Sequence, residues 1–336
     1  MVVQLHEILN VRNSTKSLSD EVFEKSLPYL AQELELIDFQ QKHSEEELRK
    51  DWWKLKNWKC GDNRINSTSR IGMKLCEHFF PNFFDIKNPK GESFRTLWKA
   101  KNLEKILRWN RKSHSTPYLS ELRRGIYFCC GLTKNTMYRP QMMKMACMRY
   151  KPKAVLDPCA GWGGRMLGAV ACGCKYIGFE PNTETHKNLM NMVDFLEIGD
   201  MITLIKDDSR NMDKYDLPKV GMVLTSPPYF DLEIYAEEDT QSVRGHETYE
   251  SWSFGFLRKI IELSLNRLED DGVSCWNVGK VRNRDMNEDV LKYHEEFGFC
   301  SHDVLKISSS KRQSNQSSKK NEKSHDNTVV YKRCSP

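Results

Sequence analysis

The residues of this chain best suited to chemistry are Thr225-Ser226-Pro227-Pro228-Tyr229 and, upstream, Asp157-Pro158-Cys159-Ala160-Gly161-Trp162-Gly163-Gly164. An exocyclic amine on a heterocycle is a poor nucleophile because its lone pair is delocalised into the ring. A site helps by accepting both N–H hydrogens, which favours a pyramidal nitrogen aimed at an electrophile. Ser226 can accept one hydrogen bond with its hydroxyl, and Pro227 the other with its carbonyl. Pro227 and Pro228 fix φ and remove competing amide donors, which stiffens the loop. Tyr229 can stack on the base, worth ~1–3 kcal/mol, and Phe230 adds apolar wall. No strong base is needed, since the amine becomes acidic as its new bond forms. A rigid turn is the bland reading of Pro-Pro; its place beside a second site argues against it.

That second site suits a nucleoside. Asp157 closes an apolar run, and Pro158, Ala160, Gly161, Gly163 and Gly164 follow it. Glycines let a ligand approach backbone that side chains would obstruct. Glu180, followed by Pro181, closes the next run 23 residues after Asp157; a carboxylate there can accept hydrogen bonds from both ribose hydroxyls. Asp208 and Ser209 close a third, where a carboxylate can receive an adenine amino group. The dinucleotide fingerprint G-x-G-x-x-G fails, because Met166 stands where its third glycine belongs. A carboxylate before the loop also suits a cationic sulfonium better than a pyrophosphate.

The elements that position these residues alternate. Apolar runs at Ala154–Leu156, Tyr176–Phe179, Ile202–Ile205, Val220–Leu224, Gly272–Asn277, Val304–Ile307 and Thr328–Tyr331 read as seven strands. Helices are expected over 163–172, 183–196, 249–268 and 287–296. Alternation with short connections predicts an α/β fold, a doubly wound, mostly parallel sheet covered on both faces, with the last two strands antiparallel. Ligands collect at the carboxyl ends of such strands. Residues 309–327, with six serines, five Lys/Arg and no large apolar residue, read as a mobile loop.

Residues 1–115 read as a mainly helical region and 116–336 as the catalytic domain. Helices open at Ser19-Asp20-Glu21-Val22 and Ser44-Glu45-Glu46-Glu47-Leu48, with carboxylates in the first turn. Trp52, Trp53, Trp58, Phe79, Phe80, Phe83 and Phe84 read mostly as core. The net charge is +6, yet residues 1–50 carry −4 and the remainder +10; seven basic and two acidic residues lie between Lys101 and Arg124. Lys105, Arg108, Arg111 and Lys112 in that run suit a polyanion.

With 39% hydrophobic and 29% charged residues and no apolar run near the ~20 residues of a membrane span, the composition is that of an intracellular globular protein. The N-terminus lacks the pattern of a secretory signal. Eleven cysteines contain no C-x-x-C pair. Cys60, Cys76 and His78 alone do not make a metal site, and buried, reduced thiols are expected.

Together these residues resemble the S-adenosylmethionine-dependent amino-methyltransferases of DNA. Asp157 to Gly164 is similar to their first motif, Glu180 to the second, Asp208 to the third and Ser226-Pro227-Pro228-Tyr229 to the catalytic fourth. Tyr138-Arg139-Pro140 resembles the segment that closes over the methionine end of the cofactor. The resemblance covers roughly residues 126–335. It implies a Rossmann-like methyltransferase sheet, S-adenosylmethionine as cofactor, DNA as partner and flipping of the target base. Serine in first position is commoner in cytosine-N4 enzymes, so cytosine N4 is favoured over adenine N6. The short stretch between Gly164 and Thr225 leaves no room for a recognition domain, which falls to the N-terminal region. Arg244 and His246, beside Asp239 and Gln241, could close over the flipped nucleotide. Transfer to an RNA base or a protein glutamine, and a non-catalytic nucleic-acid-binding subunit of the same fold, are the alternatives.

Overall fold

Alternating apolar runs and amphipathic segments produce the expected strand–helix repeat. The computed structural model describes residues 2–59, 65–66, 69–132, 135–281, 284–308 and 327–334. The seven anticipated strands are β1 (Ala154–Asp157), β2 (Lys175–Phe179), β3 (Ile202–Ile205), β4 (Val220–Thr225), β5 (Leu268–Asn277), β6 (Phe299–Ser308) and β7 (Asn327–Arg333). They lie in the order β3-β2-β1-β4-β5-β7-β6, parallel except for β7, which runs antiparallel to β5 and β6. A two-residue strand, Ile65–Asn66, adds parallel to β6. The sequence does not announce it, because two residues carry no periodicity to read.

The order reverses direction between β1 and β4, so the loops leaving these two strands part around a crevice, where open α/β sheets bind ligands. Val155 pairs with Met222, Leu156 with Val223 and Asp157 with Gly178. Leu156, Val223, Trp252, Ile260, Ile261 and Trp276 form one continuous core, each at most 1% exposed. Helices span Gly164–Val170, Thr183–Leu196 and Met286–Glu296, close to expectation, and a further helix, Pro140–Tyr150, precedes β1 where none was expected. The helix expected over 249–268 contains a π turn at Ser253–Arg258 and ends at Leu265. β5 therefore begins at Leu268 rather than Gly272: Leu268 is buried and pairs with Val220.

The chain divides into two compact units, 1–42 with 81–136 and 233–235, and 43–80 with 137–232 and 236–336. The linear split expected at 115/116 is thus not the one observed. Residues 43–80 side with the sheet because their helices have partners there. Lys144, on the Pro140–Tyr150 helix, donates to the carbonyls of Leu55 and Lys56 at 2.8 and 2.7 Å, capping the helix Glu45–Asn57. Phe79 meets Phe195 at 5.4 Å. In the other unit, helices Asp20–Glu35, Ala100–Lys112 and Leu119–Cys129 enclose Leu27, Leu30, Leu34, Leu103, Ile106 and Leu122. Both anticipated helix starts carry the expected caps, Ser19 accepting from Val22 and Ser44 forming a capping box with Glu47. Among the early aromatics Trp53 departs from the core reading, 62% exposed.

The thiol expectation needs correction. Cys300 of β6 and Cys334 beyond β7 form a disulfide, with Cα atoms 5.2 Å apart across two antiparallel strands. Cys76, Cys147, Cys174 and Cys275 are free and buried. Cys60 and residues 309–326 of the loop expected over 309–327 lie outside the described residues, while Asn327 already belongs to β7. Among the described residues no helix is long and apolar enough to cross a membrane.

Candidate active site

Asp157, at the end of β1, is fully buried and has four partners. It accepts from Arg165 Nε at 2.7 Å, Tyr176 Oη at 2.7 Å, Thr225 Oγ1 at 2.8 Å and its own loop at Cys159 N at 3.2 Å. These come from the helix after the glycine loop, from β2 and from β4. One carboxylate thus fastens three elements at the mouth of the crevice. Arg165, 5% exposed, neutralises it. The carboxylate expected to suit a cationic sulfonium therefore has its charge already matched within the protein.

The glycines divide in the same way. Gly163 lies at φ +72°, and a Cβ there would come within 2.3 Å of Met192; one on Gly164 would strike the Tyr138 carbonyl at 2.0 Å. Protein, not ligand, fills the space beside both. Gly161, at φ +55°, has nothing nearer than 3.7 Å to such a Cβ. It is the glycine that leaves room for a ligand. Pro158 and Ala160 are buried, Ala160 against Gly178 of β2. Tyr138 lies under the Arg165 guanidinium, 5.1 Å from Cζ to the ring centre, and Pro140 opens its helix at N1. Tyr138-Arg139-Pro140 is thus brought to the glycine loop.

Glu180, at the end of β2, differs from Asp157. Its Oε2 accepts from Gly161 N at 2.9 Å and its Oε1 from Asn182 N at 3.0 Å, and among the described residues no cation pairs with it. Burial pushes its pKa up to about 7 against the pull of those two amides. Each oxygen keeps an acceptor site, so two hydroxyls can be received. Pro181 is half-buried behind it.

The third strand end is less open than anticipated. Asp208 accepts from Arg210 Nη2 and Nε at 2.7 and 3.0 Å and from Arg210 N at 2.8 Å. Asp207 accepts from Tyr215 Oη and Asn211 Nδ2. The carboxylate expected to meet an adenine amino group is already engaged, and Ser209 is buried. Arg210 continues to His246, with Nη1 and Nε2 3.4 Å apart. Burial, then Arg210, lowers the His246 pKa. The residues following Tyr229 also return over the Thr183–Leu196 helix, where Glu238 accepts from Thr183 N at 3.2 Å. Arg244 is exposed and donates to the Glu237 carbonyl.

Ser226, Pro227, Pro228 and Tyr229 leave β4 directly after Thr225. Ser226 and Tyr229 are half-buried and Pro227 buried. Tyr229 lies beside Gly279, whose added Cβ would sit 3.5 Å from the ring, and its carbonyl accepts from Leu232 N at 3.0 Å. Phe230 adopts φ +48°, a left-handed conformation that strains a bulky residue. It is 8% exposed and packs edge-on against Tyr249 at 5.9 Å and against Trp252 at 5.8 Å. Phe230 is thus core that anchors the turn, rather than the apolar wall expected beside the base.

Two expected nucleic-acid residues have other partners. Arg108 pairs with Glu24 at 2.8 Å and Glu104 at 3.5 Å. Arg111 pairs with Asp20 and donates to the Thr15 and Leu18 carbonyls. Lys105 and Lys112 stay exposed, and all four belong to the helical unit. Sequence reasoning misses Arg165 and Arg210, and it misses the bonds by which Tyr176 and Thr225 hold Asp157. Arg165 does carry a signal: it is the one charge in the glycine-rich apolar helix Gly164–Val170.

Residues 220–336 match a family model described as DNA methylase, of the N6/N4 methyltransferase type. The matched stretch, 117 of the 336 residues, runs from β4 onward and is similar to that family; the chemistry and cofactor this similarity supports are methyl transfer and S-adenosylmethionine. No curated protein matches the chain. Similar solved structures include TrmN from Thermus thermophilus, 13% identical over 58% of this chain and 49% of that one, with a TM-score of 0.40. A ribosomal protein L11 methylase from Lactobacillus delbrueckii subsp. bulgaricus is 16% identical over 60% and 82%, with a TM-score of 0.39. Precorrin-6y C5,15-methyltransferase from Geobacter metallireducens GS-15 is 14% identical over 60% and 90%, also at 0.39. The open space at Gly161 and the two hydroxyl-accepting oxygens of Glu180 fit the nucleoside half of that cofactor.

Proposed function

We propose, with the N6/N4 methylase family as premise, that the chain transfers methyl groups to an exocyclic amino group of a DNA base, cytosine N4 before adenine N6. One observation carries the reading. Thr225, the last residue before Ser226-Pro227-Pro228-Tyr229, donates to Asp157, the last residue before the glycine loop. A nucleoside loop and an amine-binding loop pinned at a single carboxylate are what a two-substrate transfer requires.

In this reading Gly161 and Glu180 hold the nucleoside of S-adenosylmethionine, Glu180 through the ribose hydroxyls, and Tyr138-Arg139-Pro140 borders its methionine end. The cofactor, when bound, supplies the electrophilic methyl carbon. The Ser226 hydroxyl and the Pro227 carbonyl accept the two N–H hydrogens of the target amine and orient its lone pair. Tyr229 stacks on the base, braced by Gly279 and by the strained, buried Phe230. Phe230 acts on the substrate only through Tyr229. His246 and Glu238 tie the segment after Tyr229 to the strand ends, and Arg244 lies on its exposed side. Recognition of the strand falls to the helical unit, through Lys105 and Lys112. A duplex target must leave the stack, at a cost of a few kcal/mol.

The test is mass spectrometry of nucleosides from DNA incubated with the protein and S-adenosylmethionine, beside a Ser226→Ala control. N4-methyldeoxycytidine is expected with the wild type and absent with the variant. Methylation of RNA or of glutamine peptides, with none of DNA, would overturn the reading.

A further inference from the structure

The helical unit carries a surface that the active site does not use. On the helix Ala100–Lys112, the residues Lys101, Lys105, Trp109 and Lys112 fall within about 80° of one another around the axis at 100° per residue. Leu103, Ile106, Leu107 and Asn110 take the opposite, buried face. The neighbouring helix Leu119–Cys129 approaches closely, since a Cβ on Gly125 would lie 2.5 Å from Ile106. This brings Phe128 over Trp109, with ring centres 5.7 Å apart and planes within 13°. Arg124 completes the group: its Cζ lies 5.7 Å from the Trp109 ring centre and 5.3 Å from that of Phe128, and Glu121 holds it at 3.3 Å. Phe128 nevertheless remains 65% exposed.

A phenylalanine this exposed yet ordered by a parallel indole and a guanidinium is not a core residue that lacks cover. It presents a flat π surface beside three exposed lysines. We infer that Trp109, Arg124 and Phe128 form a stacking platform for an unpaired base of a nucleic-acid strand, with Lys101, Lys105 and Lys112 receiving the adjoining phosphates. The choice of partner rests on the methyltransferase reading above. The chemistry is the usual one for single strands, in which bases stack on aromatics while a basic track follows the backbone. It also accounts for Lys105 and Lys112, left exposed where Arg108 and Arg111 are consumed by internal pairs.

Fluorescence anisotropy of labelled single-stranded DNA, its RNA counterpart and the matching duplex tests the inference. Phe128→Ala should weaken single-strand binding about tenfold, Phe128→Tyr should retain it, and the duplex should be less affected. The triple variant Lys101→Ala, Lys105→Ala, Lys112→Ala should flatten the dependence of affinity on salt, by ~0.7 in logarithmic slope for each single-strand phosphate no longer neutralised. Tighter binding of RNA with the same Phe128 dependence upholds the platform. Unchanged single-strand affinity in Phe128→Ala overturns it, and so does binding to anionic vesicles but to no strand. Methyl transfer is assayed separately, so the two readings fail separately. Phe128-dependent binding without transfer removes the enzyme and keeps the platform; transfer with Phe128-independent binding does the reverse.

Discussion

Asp157 and Glu180 end adjacent parallel strands, are both buried, and look alike in sequence: an acid closing an apolar run ahead of a loop. Their surroundings divide the labour. Asp157 is matched by Arg165 and accepts from four groups, so its capacity is spent inside the protein. Glu180 is held by two backbone amides with no cation among the described residues pairing with it, and burial raises its pKa to about 7. One carboxylate assembles the site and the other stays ready for a ligand. An acidic residue at a strand end is therefore informative about position, while its counter-ion decides its task.

The sharpest way to break this comparison is to remove the counter-ion. Arg165→Met leaves Asp157 buried and uncompensated, and should cost ~3–5 kcal/mol of stability in guanidinium denaturation. A second, compensating change of Asp157 to Asn should recover part of it, because the penalty comes chiefly from the orphaned charge. A loss below about 1 kcal/mol for Arg165→Met would show that Asp157 is hydrated and does not act as a hub.

Tyr229 probes the other side of the same hub. Tyr229→Ala should reduce methyl transfer by about 10- to 100-fold, following the worth of base stacking, while S-adenosylhomocysteine binds as before by calorimetry. Equal loss of both would place Tyr229 against the cofactor rather than the base.

Much of this site is legible in the amino-acid sequence. Ser226 to Tyr229, Gly161 and Glu180 stand out because each sits at the end of an apolar run with clear boundaries, and seven strands follow from the same signal. The misreadings share a cause: a residue's partner lies far away in sequence. Asp157 gives no hint of Tyr176 or Thr225, which come from separate strands. The glycines at 163 and 164 read as ligand clearance, yet they accommodate Met192 and Tyr138. Phe230 reads as wall because its φ of +48° and its burial by Tyr249 and Trp252 depend on a helix that starts nearly twenty residues later. The boundary at 115/116 fails similarly, since capping of Leu55 and Lys56 by Lys144 is invisible along the chain.

A smaller effect sharpens the Glu180 half of the comparison through pH. Its folded pKa of about 7 lies above the ordinary value of 4.5. The folded state thus binds the proton more tightly than the unfolded chain, and Glu180 erodes stability as pH rises through that window. Ligand affinity should move the opposite way, because only the ionised carboxylate can accept from two hydroxyls. Affinity for S-adenosylhomocysteine should increase several-fold between pH 6 and pH 8, and Glu180→Gln should abolish that increase. A wild-type affinity flat across the range would mean that the ribose is held elsewhere.

The smallest effect is expected at Asp208, which tests whether a counter-ion alone makes a hub. Asp208 and Arg210 repeat the Asp157–Arg165 pairing at 2.7 Å, but Arg210 is 30% exposed against 5% for Arg165. Water can take over the charge that Arg210 releases, so Arg210→Ala should cost about 0–1 kcal/mol in the same denaturation experiment. The ratio between the two arginine variants then measures burial rather than pairing. Comparable losses from Arg210→Ala and Arg165→Met would break the comparison, since the partly exposed pair at β3 would then be holding strand ends together as firmly as the dry one at β1.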